Sequence, residues 1–260
     1  MSPLIALLTD FGHTDPWVGM MKGVIAGIAP AAQVIDLTHG VPPQDVLVAG
    51  LWLAAGAPFF PDGTIFVAVV DPGVGSARPI VACEIGPWRV VCPDNGLLGP
   101  LLEGQVLRRA VEATEPRFHL AARSRTFEGR DVMAPVAAHL AAGVALERLG
   151  PPRTEVLRVA VPRPRRVLDM GVGEVIYTDR FGNLVTSFLQ EDLPPGARVR
   201  LGEHEIVLRG TYAEAEVGGL LALIGSTGRL EVAVRDGSAA RETGLGAGAP
   251  VIVTGDGEDG

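Results

Sequence analysis

Over the first 140 residues or so, short apolar runs alternate with segments of helix length, and that alternation leaves few architectures open. The runs Leu4 to Leu8, Val34 to Leu37 and Ile65 to Val70 have the length and β-branched content of strands. Between the first two lies a helix expected to open at Asp15-Pro16, with Asp15 as N-cap and Pro16 in the first turn. Between the second and third, a helix is expected from about Asp45 to Ala55. This βαβαβ order predicts a mainly parallel sheet. Ile80 to Ile85 and Arg89 to Cys92 read as a hairpin turning at Gly86-Pro87. A last helix is expected from about Val132 to Ala142, capped by Asp131.

Past Gly150 the texture changes. Pro151, Pro152, Pro162 and Pro164 stand among arginines, a composition suited to a domain connection. We therefore expect a first domain over 1–155, a linker over 156–167 and a second domain over 168–260. In the second, Val172 to Tyr177, Val199 to Leu201, Ile206 to Leu208, Leu220 to Ile224, Leu230 to Val234 and Val251 to Val253 alternate with Gly and Pro turns, which predicts a small β-barrel. The predicted fold class is α/β, an amino-terminal mainly parallel sheet domain followed by that barrel. The Gly-rich tail after Gly244 is expected to end in a mobile acidic stretch.

Composition narrows the function classes. A formal charge of −8 with 20% charged residues provides no basic stripe for a phosphate backbone, so no nucleic-acid partner is expected. Cys83 and Cys92, the only cysteines, sit in apolar runs and suggest neither a disulfide framework nor a zinc site. His13, His39, His119, His139 and His204 are scattered without ligand spacing, so no metal is expected. The amino terminus reads as a first strand and not as a signal peptide. The apolar stretch Val46 to Phe60 is interrupted by Gly50, Gly56 and Pro58, too short to span a bilayer. A soluble cytoplasmic protein is expected.

Ligands of open α/β sheets gather beyond the carboxyl ends of strands. Three polar clusters follow apolar runs there: Thr9-Asp10-Phe11-Gly12, Asp71-Pro72-Gly73-Val74-Gly75 and Pro93-Asp94-Asn95-Gly96. Singly, each could be an ordinary turn. The second lacks the Gly-Lys-Ser/Thr ending of a P-loop, and no Gly-x-Ser-x-Gly elbow proposes a covalent nucleophile. Asn95 and Asn183 are the only asparagines, and an amide that donates and accepts at once suits a specific hydrogen-bonding role.

Taken in order, Leu8 to Gly12, Asp71 to Arg78, Pro93 to Leu98, Thr126 to Asp131, Tyr177 to Thr186 and Ile224 to Gly228 resemble the S-adenosyl-L-methionine (SAM) hydroxide adenosyltransferase family, relatives of the fluorinases and chlorinases. The resemblance covers nearly the whole chain. It implies a SAM-hydrolysing enzyme that uses no cofactor, SAM being its substrate. It also implies a homotrimer with active sites between the first domain of one subunit and the second domain of its neighbour. By the same resemblance Asp10 accepts from both ribose hydroxyls and Asp179 holds the methionine ammonium. Ser226 holds the methionine carboxylate with Thr227 beside it, while Phe181, Asn183 and Tyr212 frame and read the adenine.

Asp71 and Arg78 match two members of the family's Asp-Arg-His set around the attacking water. The third departs: where the family motif has His in Phe-His-Gly-Arg-Asp, this chain has Glu128. Two nearby carboxylates would raise one pKa toward a useful range, while Arg78 would oppose that shift. They would also repel a halide, and the connection from Ile85 to Arg89 is too short for the fluorinase insertion, so halogenation is disfavoured. The missing histidine leaves open a SAM or adenosine sensor that binds without turnover.

Overall fold

In the computed structural model, which describes residues 2–255, the chain divides into two compact units, Met1–Ala160 and Val161–Gly260. The acidic end expected to be mobile falls on residues 256–260, outside the described residues.

The first unit is built on one sheet of β1 (Leu4–Thr9), β2 (Gln33–Thr38), β3 (Ile65–Val69), β4 (Ile80–Ile85), β5 (Trp88–Pro93) and β6 (Leu107–Glu112), in the order β2-β1-β3-β5-β4-β6. The first four in that order run parallel, and β4 pairs antiparallel with both β5 and β6. Its helices are α1 (Trp17–Ile28), α2 (Val46–Gly56), the single turn α3 (Leu101–Gly104) and α4 (Ala134–Ala141). Ile5, Leu7 and Val67 of the sheet pack with Met21 and Ile25 of α1 and Val136 and Ala137 of α4 in one buried cluster. Burying each large side chain of that cluster contributes roughly 1.5–3 kcal/mol. β3 is buried at every position, as a central parallel strand covered on both faces must be, which explains its unbroken apolar run.

Local expectations are corrected at both ends of this helical layer. Pro16, not Asp15, stands at the cap position of α1, and no side chain caps it. The ring fixes φ at −77° and the Pro16 carbonyl accepts from Met20 N at 2.9 Å, so the first turn closes without a side-chain acceptor. At the other end, the helix expected from Val132 begins as a wide π-type turn, Gly129–Met133, that runs into α4. Asp131 lies inside that turn and caps nothing. Fully buried, its carboxylate accepts from Ser124 N at 2.6 Å and from Arg130 Nε at 2.6 Å, tying down the preceding loop. By contrast, Asp45 does cap α2, accepting from Val48 N at 2.9 Å.

The second unit contains β7 (Arg165–Val167), β8 (Met170–Thr178), β9 (Leu184–Leu189), β10 (Arg198–Leu201), β11 (His204–Val207), β12 (Leu220–Ile224), β13 (Arg229–Val234) and β14 (Pro250–Thr254), with one short helix, α5 (Ala239–Thr243). The strands are antiparallel in the order β11-β10-β14-β8-β9-β13-β12, with β7 added to β8. A bridge between Leu208 and Ala222 brings the two ends of this order together, so the sheet nearly closes into a barrel. The Phe188 ring fills its interior, and the space comes from the β8 glycines: a Cβ on Gly173 would lie 2.6 Å from that ring. β7 falls within 156–167, the stretch read as a linker. No described helix is long and apolar enough to cross a membrane.

Candidate active site

The polar residues that follow β1 and β3 meet those that precede the π-type turn around one cavity of about 480 Å³. Asp10, Asp71, Thr126, Phe127 and Glu128 line it, with Trp17 and Gln44. Asp10 and Asp71 lie just past the carboxyl ends of β1 and β3, where ligands of α/β sheets gather. Gly75 lets the 71–78 loop lie against the 124–128 segment: its φ is +78°, and a Cβ there would come within 2.6 Å of the Arg125 carbonyl oxygen. Gln44 takes a comparable left-handed conformation without being glycine, at φ +66°. Held that way, its N–H donates to Asp10 Oδ2 at 2.8 Å and fixes that carboxylate.

Arg78 joins the two remaining carboxylates. Its Nε and Nη2 donate to the two oxygens of Asp71, a two-pronged pair, and Nη2 also donates to Glu128 Oε2. All three side chains are largely buried, at 10% exposure for Arg78, 6% for Asp71 and 16% for Glu128. The Asp71 carboxyl is raised from its ordinary value, first by burial and further by Glu128, while Arg78 opposes the rise. Behind the trio, Arg123 Nη2 stands 4.0 Å from Glu128 Oε1, and Arg123 in turn contacts His119 Nδ1 at 3.2 Å. Burial pushes the His119 imidazole below its usual range, with Arg123 adding to the fall. Arg78 thus bridges both carboxylates, with Arg123 at the outer edge of Glu128, and a carboxylate so placed can orient water or accept a proton. Among the described residues, no three His, Cys, Asp or Glu side chains converge as a metal set.

Asn95, from the third polar cluster, has a structural role. Its Nδ2 donates to the Val70 carbonyl at 2.8 Å and ties the end of the strand before Asp71. Asp94 beside it is buried and accepts from Leu157 N at 2.7 Å and Arg153 Nη2 at 3.1 Å.

The other sequence candidates lie in turns of the second unit. Asp179 accepts from Phe181 N at 2.8 Å, Asn183 N at 2.9 Å and Asn183 Nδ2 at 2.9 Å, so the β8–β9 turn is built around that carboxylate. Asn183 is buried, whereas the Phe181 ring is 75% exposed. The Tyr212 hydroxyl donates to Glu231 Oε1 while its side chain stays partly open to solvent. Burial and the neighbouring Glu231 push the Tyr212 phenol well above its usual range. Ser226 and Thr227 are exposed in the turn between β12 and β13.

Two family models match, the SAM hydroxide adenosyltransferase N-terminal domain over residues 5–150 and its C-terminal domain over residues 173–252. The chain belongs to the SAM hydroxide adenosyltransferase family. Within the family's relatives, it is 43% identical over 255 residues to a protein of Thermus thermophilus named (R)-S-adenosyl-L-methionine hydrolase, covering 95% of this chain and 98% of the other. To a fluorinase of Actinoplanes sp. it is 30% identical over 292 residues, covering 97% and 98%. Among solved structures, an uncharacterized conserved protein from Thermotoga maritima superposes with a TM-score of 0.89 at 32% identity, covering 96% of this chain and 99% of that one. A conserved hypothetical protein from Thermus thermophilus gives 0.81 at 40% identity, covering 97% and 100%.

Sequence reasoning missed Trp17, Gln44 and Glu231. Trp17 carried a faint signal, since a large aromatic at the solvent end of a helix asks for a partner; it is 41% exposed and packs edge-on to Phe127 at 5.5 Å between centroids. Gln44 acts through its backbone and carries no side-chain signature. Glu231 stands in a run that alternates like any strand.

Proposed function

We propose that this chain hydrolyses SAM at the C5′–sulfur bond, releasing adenosine and L-methionine. The observation that carries the reading is that Asp71 and Glu128, bridged by Arg78, line one cavity with Asp10, in a member of this family whose relatives include proteins named (R)-S-adenosyl-L-methionine hydrolase. Water attacks C5′ in line with the departing sulfur. The C5′–O bond forms as C5′–S breaks, and the sulfonium leaves as neutral thioether, so the leaving group needs no acid. The proton lost by the attacking water passes to Asp71 or Glu128. Most of the rate then comes from aligning the water and stripping it of competing solvation. Asp10 takes the ribose hydroxyls through the lone pairs that Gln44 leaves free.

On the second unit, Asp179 holds the methionine ammonium, Ser226 with Thr227 holds the carboxylate, and Phe181, Asn183 and Tyr212 frame the adenine. The assembly is a homotrimer in which the first unit of one subunit meets the second unit of its neighbour, the protein is cytoplasmic, and the reaction draws on no cofactor. Incubation with SAM in ¹⁸O-water tests the chemistry: the label should appear in the adenosine 5′-hydroxyl. Unlabelled adenosine, or intact bound SAM with no methionine after long incubation, would refute hydrolysis, the second outcome in favour of a sensor. The trimer is tested by sedimentation of the purified protein.

A further inference from the structure

We propose that Glu231 is a positioning residue whose buried carboxylate holds the Tyr212 hydroxyl and fills the space beside Gly225, keeping the turns that carry Tyr212 and Ser226 in one arrangement. The inference rests on the reading of those turns as substrate contacts. Along β13, Leu230, Val232 and Val234 face the barrel core, so Glu231 points to the opposite face with Ala233. That face is covered by the chain around Tyr212. Ala215 packs on Leu221, Leu223 and Ala233, and Arg235 Nη1 donates to the Ala213 carbonyl at 3.1 Å and to the Ala215 carbonyl at 2.8 Å. Arg235 therefore fixes one end of the covering segment, and Glu231, through Tyr212, fixes the other.

The same carboxylate reaches the β12–β13 turn. A Cβ on Gly225 would lie 2.3 Å from Glu231 Oε2, so Glu231 occupies the space that any other residue at 225 would need. A carboxylate that is only 7% exposed carries a desolvation cost that an apolar residue on the same face would not. Its position between the Tyr212 segment and the β12–β13 turn accounts for its presence.

Five proteins decide the matter: the parent chain, Tyr212→Phe, Glu231→Ala, the double variant and Glu231→Gln. Truncation to alanine leaves the tyrosine hydroxyl without its acceptor and should raise KM for SAM on the order of tenfold, with kcat nearly kept. Glutamine preserves size and an acceptor oxygen and should behave like the parent. The double variant should be no worse than the poorer single one, in KM and in melting temperature alike. Additive effects in melting would overturn the contact, and Glu231→Gln as damaging as Glu231→Ala would show that the charge itself touches substrate. Should the parent leave SAM intact, hydrolysis alone fails, and the melting cycle still judges the clamp.

Discussion

The two units hold their polar residues in opposite ways. In the first, Asp71, Arg78 and Glu128 are bound to one another in a buried cluster, and Gln44 fixes Asp10 from the backbone. In the second, Asp179 folds its own turn while Phe181, Tyr212, Ser226 and Thr227 stay open to solvent. Chemistry that must align one water with one carbon is served by charges whose geometry is settled before substrate arrives. Recognition of the remote parts of a substrate can be left to exposed side chains, because they need only add binding energy. Substitutions in the first unit should therefore act on kcat and stability, and substitutions in the second on KM.

Arg78→Met should give the largest effect. It leaves Asp71 and Glu128 buried together without the cation that bridges them, and loss of one partner from such a cluster costs about 3–5 kcal/mol. Melting temperature and kcat should both fall sharply; an unchanged melting temperature would show that the trio is not preassembled.

Glu128→Gln and Asp71→Asn come next and separate the two carboxylates. Whichever is the base should lose on the order of 10² or more in kcat at unchanged SAM affinity. Glu128→Gln makes a second demand on the pH profile. If Asp71 is the group that works deprotonated, activity rises with pH through its raised pKa, and removing the Glu128 charge, one cause of that rise, should move the acid limb to lower pH. A limb that stays in place would assign the limb to a different group.

Ser226→Ala is the mildest test. An exposed hydroxyl supports no fold, so melting should be unchanged while KM for SAM rises by a factor corresponding to about 1 kcal/mol. A loss confined to kcat would blur the division between the units.

Much of this was readable from residues alone, for physical reasons that differ by element. β1, β3 and the β4–β5 hairpin announce themselves because central strands are apolar throughout and a Gly-Pro turn separates two of them. β6 escaped because it is an edge strand whose Leu-Arg-Arg-Ala-Val-Glu sequence shows no clean alternation; Arg109 there pairs with Glu84 at 2.8 Å instead of packing. β9 escaped because Thr186 and Ser187 look like surface residues, yet both are fully buried, with Ser187 Oγ accepting from Glu174 N at 3.0 Å. Asp10 and Asp71 were findable from their place after strands. Arg78 and Glu128, fifty residues apart, were joined only by the family resemblance, since no periodicity links one loop to another. Asp131 shows the converse error: an aspartate ahead of an apolar run resembles a cap until a π-type turn carries it into the interior.

The glycines of β8 that admit the Phe188 ring have a consequence for what the barrel can become. A barrel with a solid centre is a mount and not a vessel, unlike those whose hollow mouths receive a ligand. Its connecting turns can lengthen, shorten or exchange side chains without reopening the packing beneath them. New ligand preferences in such a scaffold would arise by editing the rim, at little cost to the ability to fold.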